Sequence, residues 1–292
     1  MSTVGAFHVP LGVQAERLAS ASFDAARLHA VSASPASNGV LRSASRMQIT
    51  AVSNGQRAQR REEESMSVAT LTFRMYGLTG LETRPIVVRN AVIAGWTGRD
   101  PVAREKHITE LIALGVARPA STPIYYRVST SRLTTSAQIE AVGENSSGEV
   151  EFFLLRDAGK IWVGAGSDHT DRKVETYNVT TSKQMCDKPI APELWPFDDV
   201  RDHWDSLILR SWIDEGGEQR LYQEGSVAAM LPPQAIIDGY GELGEGTVMF
   251  GGTLAARGGI RPSNRFMFEL WDPVRNRRIA YAYDIKTLPN VG

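Results

Sequence analysis

Ser147-Gly148-Glu149-Val150-Glu151-Phe152-Phe153-Leu154-Leu155, followed shortly by Val163-Gly164-Ala165-Gly166-Ser167-Asp168-His169-Thr170-Asp171-Arg172, is the stretch on which the reading of this chain turns. Residues 149–155 and 161–164 predict strands, with Asp157 and Gly159 at a turn-like place between them. A strand has a side-chain period of two, so Glu149 and Glu151 share one face, about 6–7 Å apart along the chain. Val150, Phe152 and Leu154 then read as the core face. Two carboxylates so placed can converge on one hard cation such as Mg²⁺, Mn²⁺ or Ca²⁺. A plainer reading gives the same string: a half-exposed strand with a solvated acidic face.

The second segment adds weight to the first. Small residues allow close backbone approach, and Asp168 offers a third carboxylate. Arg172 suits either a substrate carboxylate held by a bidentate pair or the bracing of a metal ligand. A polar loop with Asp168 and Asp171 capping turns is the competing reading. Farther on, Ser182-Lys183-Gln184-Met185-Cys186-Asp187-Lys188-Pro189 places lysines near the acids. A lysine beside an anion and a cation can hold a carboxylate or enolate oxygen. Cys186 invites a thiol-nucleophile reading with His169 or His107, although a lone cysteine beside a methionine usually packs as a small apolar residue.

Working outward, residues 68–75 alternate in β-rich fashion, and strands are also expected at 85–88, 92–96, 124–128 and 138–142. Asp100-Pro101 opens a helix carrying Ile108, Leu111 and Ile112 on one side, with Gly115 as its end. A second helix is expected over 199–212, with Trp204, Leu207, Ile208 and Trp212 as its apolar face. Phe266, Phe268 and Leu270 face Ile279, Tyr281 and Tyr283 as the arms of a hairpin. Glycines at 239–246, 251–252 and 258–259 are spaced like sheet corners, and none forms a phosphate-binding loop.

The 292 residues carry a formal net charge of −1, which gives no concentrated basic field for nucleic acid. No apolar run approaches the roughly 20 residues of a membrane span. The single cysteine excludes an internal disulfide and a cysteine-rich metal site. Residues 1–65 contain seven Arg, no Lys and five acids, are rich in Ser and Ala, and look poor in core-forming material. They are expected to be a disordered or loosely helical extension: a targeting presequence, spurious upstream sequence, or a real but poorly packing arm. Met66 then opens one β-rich domain over 66–292. A cytoplasmic location follows, or a mitochondrial one if the extension is a presequence.

The ordered segments resemble the fumarylacetoacetate hydrolase superfamily, most closely its DUF2848-like bacterial and fungal branch. The resemblance is carried by Ser147 to Glu151, Gly166 to Arg172, Ser182 to Pro189 and Gly246 to Thr253. It implies a mixed β-sandwich or β-roll with a few helices, usually a homodimer. It implies Glu149, Glu151 and Asp168 as ligands to Mg²⁺ or Mn²⁺, with Ca²⁺ as a third option. Asp100 has the spacing of a fourth ligand, seven residues before His107, which matches the catalytic histidine. Lys183, Arg172 and Thr253 match residues around the substrate. The implied function is a metal-dependent hydrolase cleaving a C–C bond, or a lyase, acting on a small oxo-acid through an enolate. Decarboxylation, tautomerisation and non-catalytic binding are the alternatives. Three departures stand out: the short separation of Glu151 from Asp168, His169 in place of a small residue, and no assured carboxylate partner for His107 among Glu105 and Glu110.

Overall fold

The computed structural model describes residues 68–77, 80–113 and 118–291, less the side chains at 107, 110, 111 and 113. The extension expected over residues 1–65, and Gly115 at the expected helix end, lie outside the described residues. The described residues belong to a compact unit spanning Gln59–Gly292.

Strands Val150–Asp157 and Lys160–Ser167 pair as an antiparallel hairpin. Its two-residue turn, Ala158-Gly159, has φ of 50° and 74°. Positive φ at both positions suits the right-handed twist of the flanking strands. The hairpin sits at the centre of an eight-stranded mixed sheet. In spatial order the sheet runs Gly80–Val88, Ala69–Gly77, Glu193–Pro196, Lys160–Ser167, Val150–Asp157, Thr247–Phe250, Asn90–Gly95, Ile124–Val128.

Side chains from both ends of this sheet meet in one apolar cluster. Phe73 and Ile86 come from one end, Ile93 and Val128 from the other, and Phe153 and Phe250 from the middle. A sheet whose edges share one core must curl, and this layer is a half-barrel. Its opposite face packs on a five-stranded sheet ordered Glu218–Ser226, Ile208–Glu215, Arg265–Asp272, Arg277–Leu288, Gln138–Val142. Phe152, Leu154 and Val163 meet Leu209, Phe268 and Leu270 in the core between the layers. The predicted hairpin forms, with Phe266 opposite Tyr283, Phe268 opposite Tyr281 and Leu270 opposite Ile279. The fold is thus a mixed β-sandwich or roll with few helices, and no described helix is long and apolar enough to cross a membrane.

Two expectations are corrected. Residues 199–212 are not an α-helix: short 3₁₀ turns at Phe197–Asp199 and Arg201–Ser206 lead into the strand Ile208–Glu215. Leu209, Ser211 and Ile213 are its buried residues, a period of two, because strands pair on both of its edges. Second, residues 150–155 have no solvated face. All six are buried, since apolar clusters cover both sides of this central strand. Three short helices were not anticipated: Arg172–Glu175, Val179–Met185 and Pro233–Tyr240.

Candidate metal centre

The hairpin register builds the acidic cluster. Val150 stands opposite Ser167 and Glu151 opposite Gly166. One step farther the Asp168 amide donates to the Glu149 carbonyl at 3.0 Å, which sets those two residues opposite each other. Directly opposed residues hold their Cβ atoms about 4.5–5.5 Å apart. Glu149, Glu151 and Asp168 accordingly offer carboxylate oxygens that all lie within 4.8 Å of one another. The short separation of Glu151 from Asp168 reflects this direct turn from one strand into the next.

Close packing makes the approach possible. A Cβ at Gly166 would lie 2.8 Å from Ile190 and 2.9 Å from Phe250, so only glycine leaves the hairpin at this depth. Glu151 is buried on the same strand face as Phe153 and Leu155, toward the half-barrel interior. Its carboxylate accepts the Gly252 amide at 2.7 Å. Gly252 has φ 103°, and a Cβ there would collide with the Thr97 hydroxyl oxygen at 1.9 Å. The Thr97 hydroxyl in turn donates to the Gly251 carbonyl at 2.9 Å. Burial, and next the Asp168 carboxylate, push the Glu151 carboxyl well above the usual range.

Asp168 is fully buried between two ammonium groups. Lys183, from the Val179–Met185 helix capped by Asn178, bonds Oδ2. Lys188, itself fully buried, lies 3.3 Å from Oδ1 and donates to the His169 carbonyl. Burial raises the Asp168 carboxyl, but the two lysines outweigh it and hold the group at about 2. Burial likewise works against the Lys183 ammonium, yet Asp168 and Glu149 keep its pKa above the ordinary lysine value. Its Nζ also sits 5.8 Å from the centre of the half-buried Tyr126 ring, within cation–π range.

Arg172 acts on the cluster from outside. Its Nη1 lies 3.2 Å from Glu149 and 2.9 Å from Glu175, and Nε donates to the Ser147 hydroxyl at 2.7 Å. Asp171 caps the Arg172–Glu175 helix by accepting the Val174 amide, as the turn-capping reading had it, whereas Asp168 faces the acids. Behind the cluster, His169 Nδ1 and Ser167 Oγ both bond the Tyr283 hydroxyl at 2.9 Å, and Ser167 Oγ accepts the Glu149 amide at 3.2 Å. Burial, with Lys188 and Arg172 nearby, pulls the His169 imidazole down to about 3, so it is neutral.

The remaining sequence-derived residues fall in different places. Thr253 borders Glu151 through its loop; its hydroxyl donates to the Val150 carbonyl and accepts from Gln223 Nε2, both at 2.8 Å. Asp100 is exposed and caps the Pro101–Ala113 helix, accepting the amides of Val102 at 2.8 Å and Ala103 at 3.3 Å. It is not among the acids brought together. His107 lies on that helix, with its side chain outside the described residues. Glu105 is paired with Arg118 through two 2.8 Å bonds, and the Glu110 side chain is not described. Cys186 is buried, and burial pushes its thiol up to about 11.

Gln223, on the strand Glu218–Ser226, went unnoticed in the sequence because a glutamine amide carries no motif. The donor set of the cluster is oxygen only, with Glu151 and Asp168 buried and Glu149 partly open. Hard cations such as Mg²⁺, Mn²⁺ and Ca²⁺ are suited to such a set. The residues present fit a divalent ion.

A family model described as a protein of unknown function (DUF2848) matches residues 94–283, which include all three converging acids. Comparison with curated proteins finds no match. Among solved structures, Cg1458 crystallised with an inhibitor aligns with a TM-score of 0.51 at 14% identity, over 72% of this chain and 82% of that one. A 2-keto-3-deoxy-D-arabinonate dehydratase complexed with magnesium and 2,5-dioxopentanoate aligns with a TM-score of 0.50 at 16% identity, over 74% and 79%. At these identities the likeness is one of fold. The chain belongs to the DUF2848 family and has the fold of fumarylacetoacetate hydrolase-superfamily enzymes.

Proposed function

We propose that this chain is a divalent-metal-dependent enzyme that acts on a small oxo-acid, with Mg²⁺ or Mn²⁺ as the resident ion and Ca²⁺ as a weaker fit. The carrying observation is the convergence of Glu149, Glu151 and Asp168 within 4.8 Å at one end of the half-barrel. The dehydratase of like fold, solved with magnesium and 2,5-dioxopentanoate, supports the substrate class. A divalent ion supplies Lewis acidity toward adjacent keto and carboxylate oxygens of such a substrate, which stabilises enolate charge.

The chain's own residues supply the rest. Lys183 stays cationic and stands where it can meet a developing oxyanion next to Asp168. Arg172 fixes the Glu149 carboxylate, so its role runs through a ligand rather than through the substrate. The Gly251–Thr253 loop borders Glu151 and would carry the substrate carboxylate. Hydrolysis would require His107 to take a proton from water, with a carboxylate to orient it. Glu105 is engaged by Arg118. Dehydration, decarboxylation or tautomerisation needs no attacking water, and we favour these lyase- or isomerase-type reactions over C–C hydrolysis. A homodimer forms part of this proposal through the family resemblance.

The test is calorimetric titration of Mn²⁺ and Mg²⁺ into the wild type and the Glu149→Gln variant, alongside turnover of 2-keto-3-deoxy acids, oxaloacetate and acylpyruvates. Glu149→Gln should weaken Mn²⁺ binding by roughly tenfold or more, on the scale of metal-site perturbations. Unchanged affinity removes the site. Tight metal binding with no turnover of any oxo-acid would leave a binding protein in place of an enzyme.

A further inference from the structure

Gln223 belongs to the second sheet, yet each of its bonds but one goes to a segment that holds the acidic cluster. Its side chain is 1% exposed. The carbonyl oxygen Oε1 accepts the Val150 amide at 2.9 Å and the Ser211 hydroxyl at 2.9 Å. The amide nitrogen Nε2 donates to the Thr253 hydroxyl at 2.8 Å and the Leu254 carbonyl at 2.6 Å. A primary amide has two donor hydrogens and two acceptor lone pairs, and these four bonds use them all.

The two segments it joins are the two that define the Glu151 carboxylate. Val150 precedes Glu151 on the central strand. Thr253 and Leu254 follow Gly252, whose amide holds the Glu151 carboxylate. Thr253 closes the loop by donating to the Val150 carbonyl. Val150 is thus gripped at its amide by Gln223 and at its carbonyl by Thr253. Both ends of the Gly252–Glu151 bond are referenced to one side chain.

We propose that Gln223 is a positioning residue for the metal centre, setting the Gly252 amide against the Glu151 carboxylate. This rests on the divalent-metal reading of the cluster. An amide is the fitting chemistry for such a clamp, since it must accept from one backbone segment and donate to another. No carboxylate, hydroxyl or aliphatic side chain of this length does both with four bonds.

The experiment uses the full-length chain with Gln223→Met, close in volume and unable to make the four bonds, and Thr253→Val, which removes the hydroxyl bonds to Gln223 Nε2 and to the Val150 carbonyl while leaving the other three bonds of Gln223. Mn²⁺ affinity is measured by calorimetry, and amide hydrogen exchange is followed in peptides covering 251–254 and 265–272. Folded Gln223→Met is expected to bind Mn²⁺ roughly tenfold to a hundredfold more weakly. Exchange should accelerate at 251–254 and stay unchanged at 265–272. Thr253→Val should shift both readouts in the same direction by less, and it decides the matter if Gln223→Met fails to fold. Wild-type affinity and exchange in the folded variants overturn the proposal and leave Gln223 a satisfied core amide. If the wild type binds no Mn²⁺, the metal reading fails separately, and exchange at 251–254 still decides whether Gln223 holds the loop.

Discussion

Single residues here are governed by who faces them rather than by their type. Glu151 and Asp168 are both buried carboxylates, yet they diverge. Burial and a neighbouring carboxylate raise Glu151, whereas Lys183 and Lys188 hold Asp168 at about 2. Cys186 shows the same dependence and bears on the thiol-hydrolase alternative. Its thiol is pushed from the ordinary 9.0 to about 11 by burial. Only about one molecule in a thousand would be thiolate at pH 8, from the definition of a pKa. A folded thiol that holds its proton more tightly stabilises the fold fully below pH 9, and the contribution fades as pH rises through about 11. Alkylation of native Cys186 at neutral pH should therefore lag far behind that of the denatured chain, and its rate should climb up to about pH 11. Rapid native labelling at pH 7 would revive the nucleophile.

The central hairpin is the element that makes the site. Its two-residue turn fixes the register, and the register places Glu149 opposite Asp168 and Glu151 opposite Gly166. Shifting a strand by one residue would send every side chain to the other face, so the cluster depends on this pairing. Gly166→Ala tests it. The added methyl would meet Ile190 at 2.8 Å, Phe250 at 2.9 Å and the Pro189 carbonyl at 3.1 Å. Overpacking of this kind costs about 1–3 kcal/mol. Denaturant unfolding should show that loss, and Mn²⁺ affinity should fall with it as Asp168 is displaced from the two glutamates. A variant of unaltered stability would mean that the half-barrel interior at Gly166 is looser than the contacts indicate.

At the scale of the whole molecule, every strand of the two main sheets among the described residues lies between Ala69 and Leu288. Both apolar clusters are assembled from these strands and the segments that connect them. We propose that residues 66–292 form the folding domain. A chain begun at Met66 should unfold cooperatively, with a midpoint and Mn²⁺ affinity matching those of the full chain. A loss of solubility or a much lower midpoint would show that residues 1–65 contribute to the core.

Much of the fold was legible in the sequence. Alternating residues marked the strands at 69–77, 124–128 and 138–142 and both arms of the C-terminal hairpin. The acidic pair alone fitted a solvated strand face, and it stood out only together with Asp168 in the next segment and the family resemblance those segments carry. Local pattern determines which face of an element is apolar, and that much the sequence settled by itself. It misjudged 199–212, where Trp204, Leu207, Ile208 and Trp212 fit a helical spacing as well as turns followed by a strand. Only pairing on both edges selects the strand. Two-sided burial of residues 150–155 and the clamp at Gln223 likewise depend on distant partners. The Gly252 amide lies 101 residues from Glu151, and Gln223 lies 73 residues from Val150. Spacing along the chain encodes periodicity, but desolvation and hydrogen-bond partners across such separations exist only once the sheets have packed.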